Sequence, residues 1–112
     1  MKIKVKLIIT NDKGEKLISD GIIWLLQAIK DHNSISSAAR SMRMSYVKAL
    51  KLINNLEYNL GDKVLERRHG GNDRYGAELT PYGEHLIRKY FAVQKKVNKA
   101  ADEGFGTFIK AV

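Results

Sequence analysis

The hydrophobic and polar positions of residues 34–60 follow the helical period in two consecutive segments. The first segment has three apolar residues at i, i+1 and i+4: Ala38, Ala39 and Met42. This spacing predicts a short helix, and Ser36 is placed to cap it by accepting a hydrogen bond from an unpaired backbone amide. Arg43 and Met44 come next, and two residues are enough only for a turn.

The second segment predicts an amphipathic helix that begins after a cap at Ser45. Four apolar residues recur at steps of four, three and four and form one stripe: Ala49, Ile53, Leu56 and Leu60. The other side carries hydrogen-bond donors, two of them positively charged: Tyr46, Lys48, Lys51, Asn54 and Asn55. A short helix, a tight turn and a helix with a basic outer face form the helix-turn-helix pattern, whose second helix enters the DNA major groove.

Lysine alternates with apolar side chains over residues 2–9, a period of two that is typical of a strand with one buried face. A turn signal at residues 11–14 and a short return over residues 15–18 complete a predicted N-terminal β-hairpin. Its lysines are interpreted as a solvated face rather than as DNA contacts. Because an isolated hairpin is marginal in water, we expect it to pack on the helices or on a partner chain.

A further helix is predicted between this hairpin and the helix-turn-helix, so that the helical core spans residues 21–60. Ser19 or Asp20 is placed to cap it, and it runs from Gly21 to about His32. Its apolar face is formed by Ile22, Leu25, Leu26 and Ile29. This helix is interpreted as the scaffold under the other two, with Trp24 adding a large apolar surface.

A second hairpin is predicted after the helical core. Gly61 is a favourable residue at a helix end, and residues 64–68 and 77–79 are plausible strands on either side of a polar loop at 69–76. A basic hairpin in this place is typical of a wing, here residues 63–79, and its predicted phosphate contacts are Arg67, Arg68 and Arg74. The alternative of a nucleotide-binding loop is disfavoured, because the G-x-x-x-x-G-K-[ST] spacing is absent.

Thr80 followed by Pro81 is a strong helix start, and Glu84 lies near the positive end of the helix dipole. The helix is predicted to end at about Ala101, followed by a tail, residues 102–112, that either covers a dimer interface or frays. One side of it is apolar: Leu86, Ile87, Tyr90, Phe91, Val93 and Val97. The helix is longer than a three-helix core needs, which predicts a homodimer able to read two half-sites.

Composition limits the function classes. The 112 residues suffice for one domain that is mainly α with small β, and a net charge of +8 suits a phosphate-binding surface. The chain has no cysteine, and no apolar run reaches the roughly 20 residues that span a bilayer, so we expect a cytoplasmic protein. The three histidines lie on separate predicted elements without metal-ligand spacing: His32, His69 and His85. We therefore expect no enzyme, no metal and no cofactor.

Four segments occur in this order: SISSAARSMRMSYVKAL, an L-x-x-x-LG segment, VLERRHGG and LTPYGEHLI. Together they resemble the N-terminal winged-helix domain of the LysR-type regulators, and most of all that of the molybdate-responsive ModE family. The ModE-like marks are Ser45-Tyr46, the glycine-containing wing, Leu79-Thr80 with Tyr82-Gly83, and the N-terminal hairpin. The resemblance covers nearly the whole chain and implies a winged helix-turn-helix with a long C-terminal dimerisation helix.

The resemblance implies a set of DNA contacts. The recognition helix would contribute major-groove contacts from Ser45, Tyr46, Val47, Lys48 and Lys51, and its polar face adds Asn55. Ser36 and Arg43 would support that helix, and the three wing arginines would contact the DNA backbone. The family also implies a dimer through the long helix, with the N-terminal hairpin as an element that can cross to the partner.

The sequence departs from the family in two respects. ModE-type regulators carry C-terminal molybdate-binding modules, and this sequence ends before any such module, so oxyanion sensing is not carried over and a separate effector-binding protein stays open as a partner. The wing has fewer glycines and adds Asn72, Asp73, Arg74 and Tyr75. Double-stranded DNA is the expected partner. RNA binding, an architectural DNA-binding role and a dimerising protein-interaction module are the alternatives, and the salt dependence of binding separates nucleic-acid from protein contacts.

Overall fold

The computed structural model describes residues 1–67 and 76–112. Eight elements follow one another in the order β1 (Ile9–Thr10), β2 (Lys16–Ile18), α1 (Asp20–His32), α2 (Ile35–Ser41), α3 (Tyr46–Leu60), β3 (Leu65–Arg67), β4 (Ala77–Leu79) and α4 (Pro81–Ala111). The strands form two antiparallel pairs, β1 with β2 and β3 with β4. The prediction of a mainly α fold with small β and a helix-turn-helix followed by a wing sheet is confirmed.

The core forms where α1 packs against α2, α3 and the strands. The predicted apolar face of α1 is fully buried, and Ile23 joins it. Trp24 lies on the opposite side of α1, with 56% of its surface exposed. From α3 the core takes Ala49, Ile53 and Leu56, whereas Leu60 is only half-buried. These contacts hold α1, α2 and α3 as one unit, which leaves the outer side of α3 facing solvent.

The predicted N-terminal hairpin is much shorter than expected. Only Ile9 and Thr10 form β1, with Ile9 opposite Ile18, and no strand covers residues 1–8. Burial explains the difference, because Leu7 and Ile9 pack on the core whereas the first six residues are all exposed. Alternation alone does not hold a strand whose apolar face has nothing to pack against.

The cap predicted for the first helix of the helix-turn-helix was wrong. The side chain of Ser34, not Ser36, accepts the hydrogen bond from the backbone N–H of Ser37, at 3.1 Å. The helix starts at Ile35 because that side chain is buried in the core, and Ser36 therefore lies in the first turn. At the start of α1, Ser19 occupies the N-cap position without a side-chain hydrogen bond.

The long helix was predicted ten residues too short. It begins as expected, with the Thr80 hydroxyl accepting from the N–H of Gly83 at 3.0 Å, but it continues to Ala111. The region predicted as a tail is therefore helical, and its two glycines, which cost about 1 kcal/mol each, do not interrupt it. Of the predicted apolar side, Ile87 and Tyr90 are buried, whereas Phe91 and Val93 stay exposed. In the described part of the chain, no helix is long and apolar enough to cross a membrane.

Candidate nucleic-acid interface

The turn between α2 and α3 is short and sharply bent. Arg43 adopts the left-handed conformation, at φ 54°, and the N–H of Met44 returns to the carbonyl of Ala39 at 2.9 Å. Ser45 then caps α3 as predicted, because its hydroxyl accepts from the N–H of Lys48 at 3.1 Å. The turn and the cap together fix where the recognition helix begins relative to α2.

The outer side of α3 is exposed along its whole length. Val47 is 70% exposed, and the other predicted contacts on this helix, Tyr46, Lys48, Lys51 and Asn55, are exposed as well. Neither lysine forms an ion pair with the described residues, where the one salt bridge joins Lys30 to Glu84 at 3.0 Å. Two positive charges and several hydrogen-bond donors therefore face solvent from a helix whose other side is fixed in the core.

Of the two supporting residues, Arg43 is exposed and Ser36 is half-buried. Of the wing arginines, Arg67 is exposed at the end of β3, and its guanidinium Nη2 donates to Asn54 Oδ1 on α3 at 3.1 Å. Arg68 and Arg74 lie outside the described residues. The structure therefore brings Arg67 beside α3.

The base of the wing is attached to α3 by a carboxylate. Glu57 Oε2 accepts hydrogen bonds from the backbone N–H groups of Val64, at 2.9 Å, and Leu65, at 3.3 Å. After β4, Thr80 donates its hydroxyl to the carbonyl of Lys63 at 2.6 Å and its N–H to that of Val64 at 3.0 Å. The wing thus leaves the core in an orientation set by the recognition helix and by the start of α4.

Sequence reasoning missed Glu57 and two further residues of this surface. Tyr58, 86% exposed, lies seven residues after Lys51 and so on the same side of α3, a spacing that the helical period makes detectable. Asn59 contacts the N-terminal hairpin, and nothing in the local sequence indicates that contact. The role of Glu57 also depends on a strand seven to eight residues away, which periodicity does not reveal.

A partly buried polar contact joins α1 to α4. The Tyr90 hydroxyl donates to Asp20 Oδ1 at 2.6 Å, and Gln94 Nε2 donates to the same oxygen at 3.0 Å. Burial, followed by the hydrogen bond and the negative charge of Asp20, raises the pKa of Tyr90 to about 12. This contact fixes the direction of the long helix. Within the described residues no cluster of His, Cys, Asp and Glu is arranged to hold a metal ion.

Residues 23–84, from α1 to the first turn of α4, match the bacterial regulatory helix-turn-helix proteins of the lysR family. The chain belongs to this family. The match includes α2, α3 and the wing strands β3 and β4, and so contains the exposed basic side of α3. The predicted resemblance to the LysR-type regulators is thereby confirmed.

Relatives with known names agree with this assignment. The chain is 33% identical over 100 residues to the transcriptional regulator ModE of Yersinia pestis. This alignment covers 88% of this chain and 38% of that protein. It is 40% identical over 77 residues to the molybdenum-pterin-binding protein MopB of Rhodobacter capsulatus, covering 69% of this chain and 28% of that protein. The chain thus spans less than two fifths of the length of these relatives.

Solved structures show the same fold. The DNA-binding domain of CbnR in complex with DNA superimposes with a TM-score of 0.60 at 20% sequence identity, covering 80% of this chain and 98% of that one. The DNA-binding domain of BenM bound to the catB site 1 DNA gives a TM-score of 0.55 at 21% identity, with 76% and 89% covered. The chain therefore has the winged helix-turn-helix fold of LysR-type DNA-binding domains.

Proposed function

We propose that this protein is a sequence-specific DNA-binding transcription regulator that uses α3 to read the major groove. The observation that carries the proposal is the outer side of α3, where Lys48 and Lys51 are exposed and without ion pairs among the described residues, above a buried face. Relatives named as transcriptional regulators and the DNA complexes among its structural neighbours support it. No catalytic activity is part of the proposal, and the proposed site of action is the cytoplasm.

The proposed contacts divide by what they touch on the duplex. The exposed residues at the start of α3 and along its outer side are proposed to contact the major groove: Ser45, Tyr46, Val47, Lys48, Lys51 and Asn55. Ser36 and Arg43 are proposed to support that helix, and Arg67, Arg68 and Arg74 are proposed to contact the DNA backbone. Backbone contacts position the protein, whereas base contacts carry the sequence preference.

A homodimer through α4 is part of the proposal. Residues 81–111 form a helix about 46 Å long at 1.5 Å per residue, yet Tyr90 is its last buried residue. Beyond that point the helix still carries exposed apolar side chains, among them Val93 and Phe108, the latter 55% exposed and stacked on Phe105. A second copy that covers this side would place two recognition helices on one duplex. Sedimentation of Phe108→Glu, which we expect to favour the monomer, tests this part.

Selection of bound sequences from random duplex DNA tests the function. We expect a two-fold symmetric consensus, and we expect Lys48→Ala or Lys51→Ala to reduce discrimination against random DNA by about 1 to 3 kcal/mol if the lysine contacts guanine bidentately. Lys99→Ala, an exposed lysine on α4, is the matched control and keeps the preference of the unmodified protein.

Two results would reject the sequence-specific reading. Binding that weakens with salt but enriches no sequence indicates an architectural DNA-binding protein. Loss of all binding to DNA, with partner-protein contacts that hardly respond to salt, indicates a protein-interaction module.

A further inference from the structure

Three asparagine side chains connect the N-terminal hairpin to the exposed side of α3. Asn11 lies just after β1, and Asn55 and Asn59 lie one turn apart on α3. Asn11 Nδ2 is 3.5 Å from Asn59 Oδ1, and Asn59 Nδ2 is 3.2 Å from Asn55 Oδ1. Because each amide has an accepting oxygen and a donating nitrogen, this chain of contacts has a direction.

Hydrogen bonds to backbone groups fix the amide orientations of Asn11 and Asn59. Asn11 Oδ1 accepts from the backbone N–H groups of Lys13 and Glu15, each at 3.0 Å, which fixes the orientation of the amide. Its nitrogen then donates to Glu15 Oε1 at 3.3 Å and also approaches Asn59. Asn59 Nδ2 donates to the backbone carbonyl of Asn55 at 2.8 Å, which leaves its oxygen on the side of Asn11. Neither amide can turn over without placing two oxygens, or two nitrogens, in contact.

These contacts fix the orientation of Asn55, the last of the three asparagines. Its Oδ1 is held by Asn59, and its amide nitrogen donates to no group in the described part of the chain. Its side chain is exposed, and it lies one helical turn after Lys51 on the side proposed to face the duplex. Asn55 therefore turns its oxygen towards Asn59 and its two N–H donors away from Asn59.

We propose that Asn55 reads a keto oxygen, guanine O6 or thymine O4, in the major groove, and that Asn11 and Asn59 set this preference without touching DNA. The proposal rests on the function proposed above. An asparagine free to use both of its groups pairs with adenine, donating to N7 and accepting from N6. Here Asn59 holds the oxygen on its own side, so the N–H donors are the groups that Asn55 turns towards the groove, and a keto base on the contacted strand is favoured.

Asn59→Asp provides the sharpest test. A carboxylate has no hydrogen to donate, so Asn55 would reverse its amide, donate to Asp at position 59 and present its oxygen to the groove. We expect selection from random duplex DNA to change, at one position per half-site, from guanine or thymine to adenine or cytosine, whose amino groups donate there. Asn59→Ala frees Asn55 and should relax the preference by about threefold to tenfold, the range for one hydrogen bond.

Two controls isolate the orientation of Asn55 from other effects. Asn54→Asp adds the same charge to α3 while keeping an acceptor for Arg67, so it should lower affinity without changing the base at the Asn55 position. Asn55→Ala identifies that position, and in its background Asn59→Ala should have no further effect on the preference. Urea unfolding of each variant separates changes in fold stability from changes in base preference.

Three results would overturn the inference and leave the proposed function standing. They are an adenine preferred by the unmodified protein at that position, an unchanged preference in Asn59→Asp, and a loss in Asn55→Ala that is equal on all sequences, as a phosphate contact would give. A protein that enriches no sequence at all would instead reject the proposed function itself.

Discussion

Replacement of Gly83 by alanine is expected to destabilise the fold even though alanine is the better helix former. Gly83 lies in the first turn of α4, where a Cβ would overlap the carbonyl oxygen of Val64 and lie 3.2 Å from its carbonyl carbon. Both atoms belong to the backbone of a fully buried residue, so no side chain can turn aside to make room. The helix or the base of the wing must move.

The expected magnitude follows from opposing contributions. Alanine favours a helix over glycine by about 1 kcal/mol, whereas overpacking at a close contact costs about 1 to 3 kcal/mol. Displacing the Val64 carbonyl also weakens its hydrogen bond with the Thr80 N–H, now 3.0 Å, for about another 1 kcal/mol. We therefore expect Gly83→Ala to lower the free energy of unfolding by about 1 to 3 kcal/mol.

Urea unfolding followed by circular dichroism measures this change, and the same helix offers a matched control. Gly106 also lies in α4, but a Cβ there would have no atom within 4 Å, so only the helix preference should act. We expect Gly106→Ala to be as stable as the unmodified protein or up to about 1 kcal/mol more stable. If Gly83→Ala proves equally stable, the close approach of α4 to Val64 is refuted.

Three further predictions concern the wing and the contact behind it. Glu57→Ala should lower the free energy of unfolding by about 1 to 3 kcal/mol, because two backbone N–H groups lose their acceptor, and Glu57→Gln, which keeps one, should lose less in the same urea assay. Tyr90 has a pKa raised to about 12 against about 10 when unfolded, so its contribution to stability is complete below pH 10 and is lost as pH rises towards 12. The unmodified protein should lose more stability over that range than Tyr90→Phe. If the free energies of unfolding of the two proteins fall in parallel with pH, the raised pKa of Tyr90 is not the cause. Arg68→Ala or Arg74→Ala should weaken binding equally on preferred and random DNA and reduce the slope of log affinity against log salt by about 0.9 each, whereas an unchanged slope removes the wing from the interface.

The DNA contacts of α3 and the homodimer stay predictions, and both follow from surfaces that the fold leaves exposed. The contacts assigned to Lys48 and Lys51 follow from the outer side of α3, which the core leaves open to a duplex. The homodimer likewise rests on apolar surface that α4 leaves exposed. DNA selection tests the lysine contacts, and sedimentation tests the homodimer.

The sequence by itself determined the elements whose signals are local. The cap at Ser45, the start of α4 at Thr80 and Pro81, and the buried stripe of α3 follow from side chains within a few residues of one another, so reading the chain predicts them. The resemblance to LysR-type domains adds their order. The exposed basic side of α3 was thus available from sequence.

Only the tertiary structure decided features that depend on distant partners. Residues 1–8 form no strand, since the first six are exposed and have no core to pack against, and Ser34 rather than Ser36 caps α2 because the burial of Ile35 sets the helix start. Glu57 acquires its role from a wing strand, and Asn59 from the N-terminal hairpin. Hydrogen bonds and burial between segments far apart in sequence leave no local pattern, and for that reason they become visible only in the folded chain.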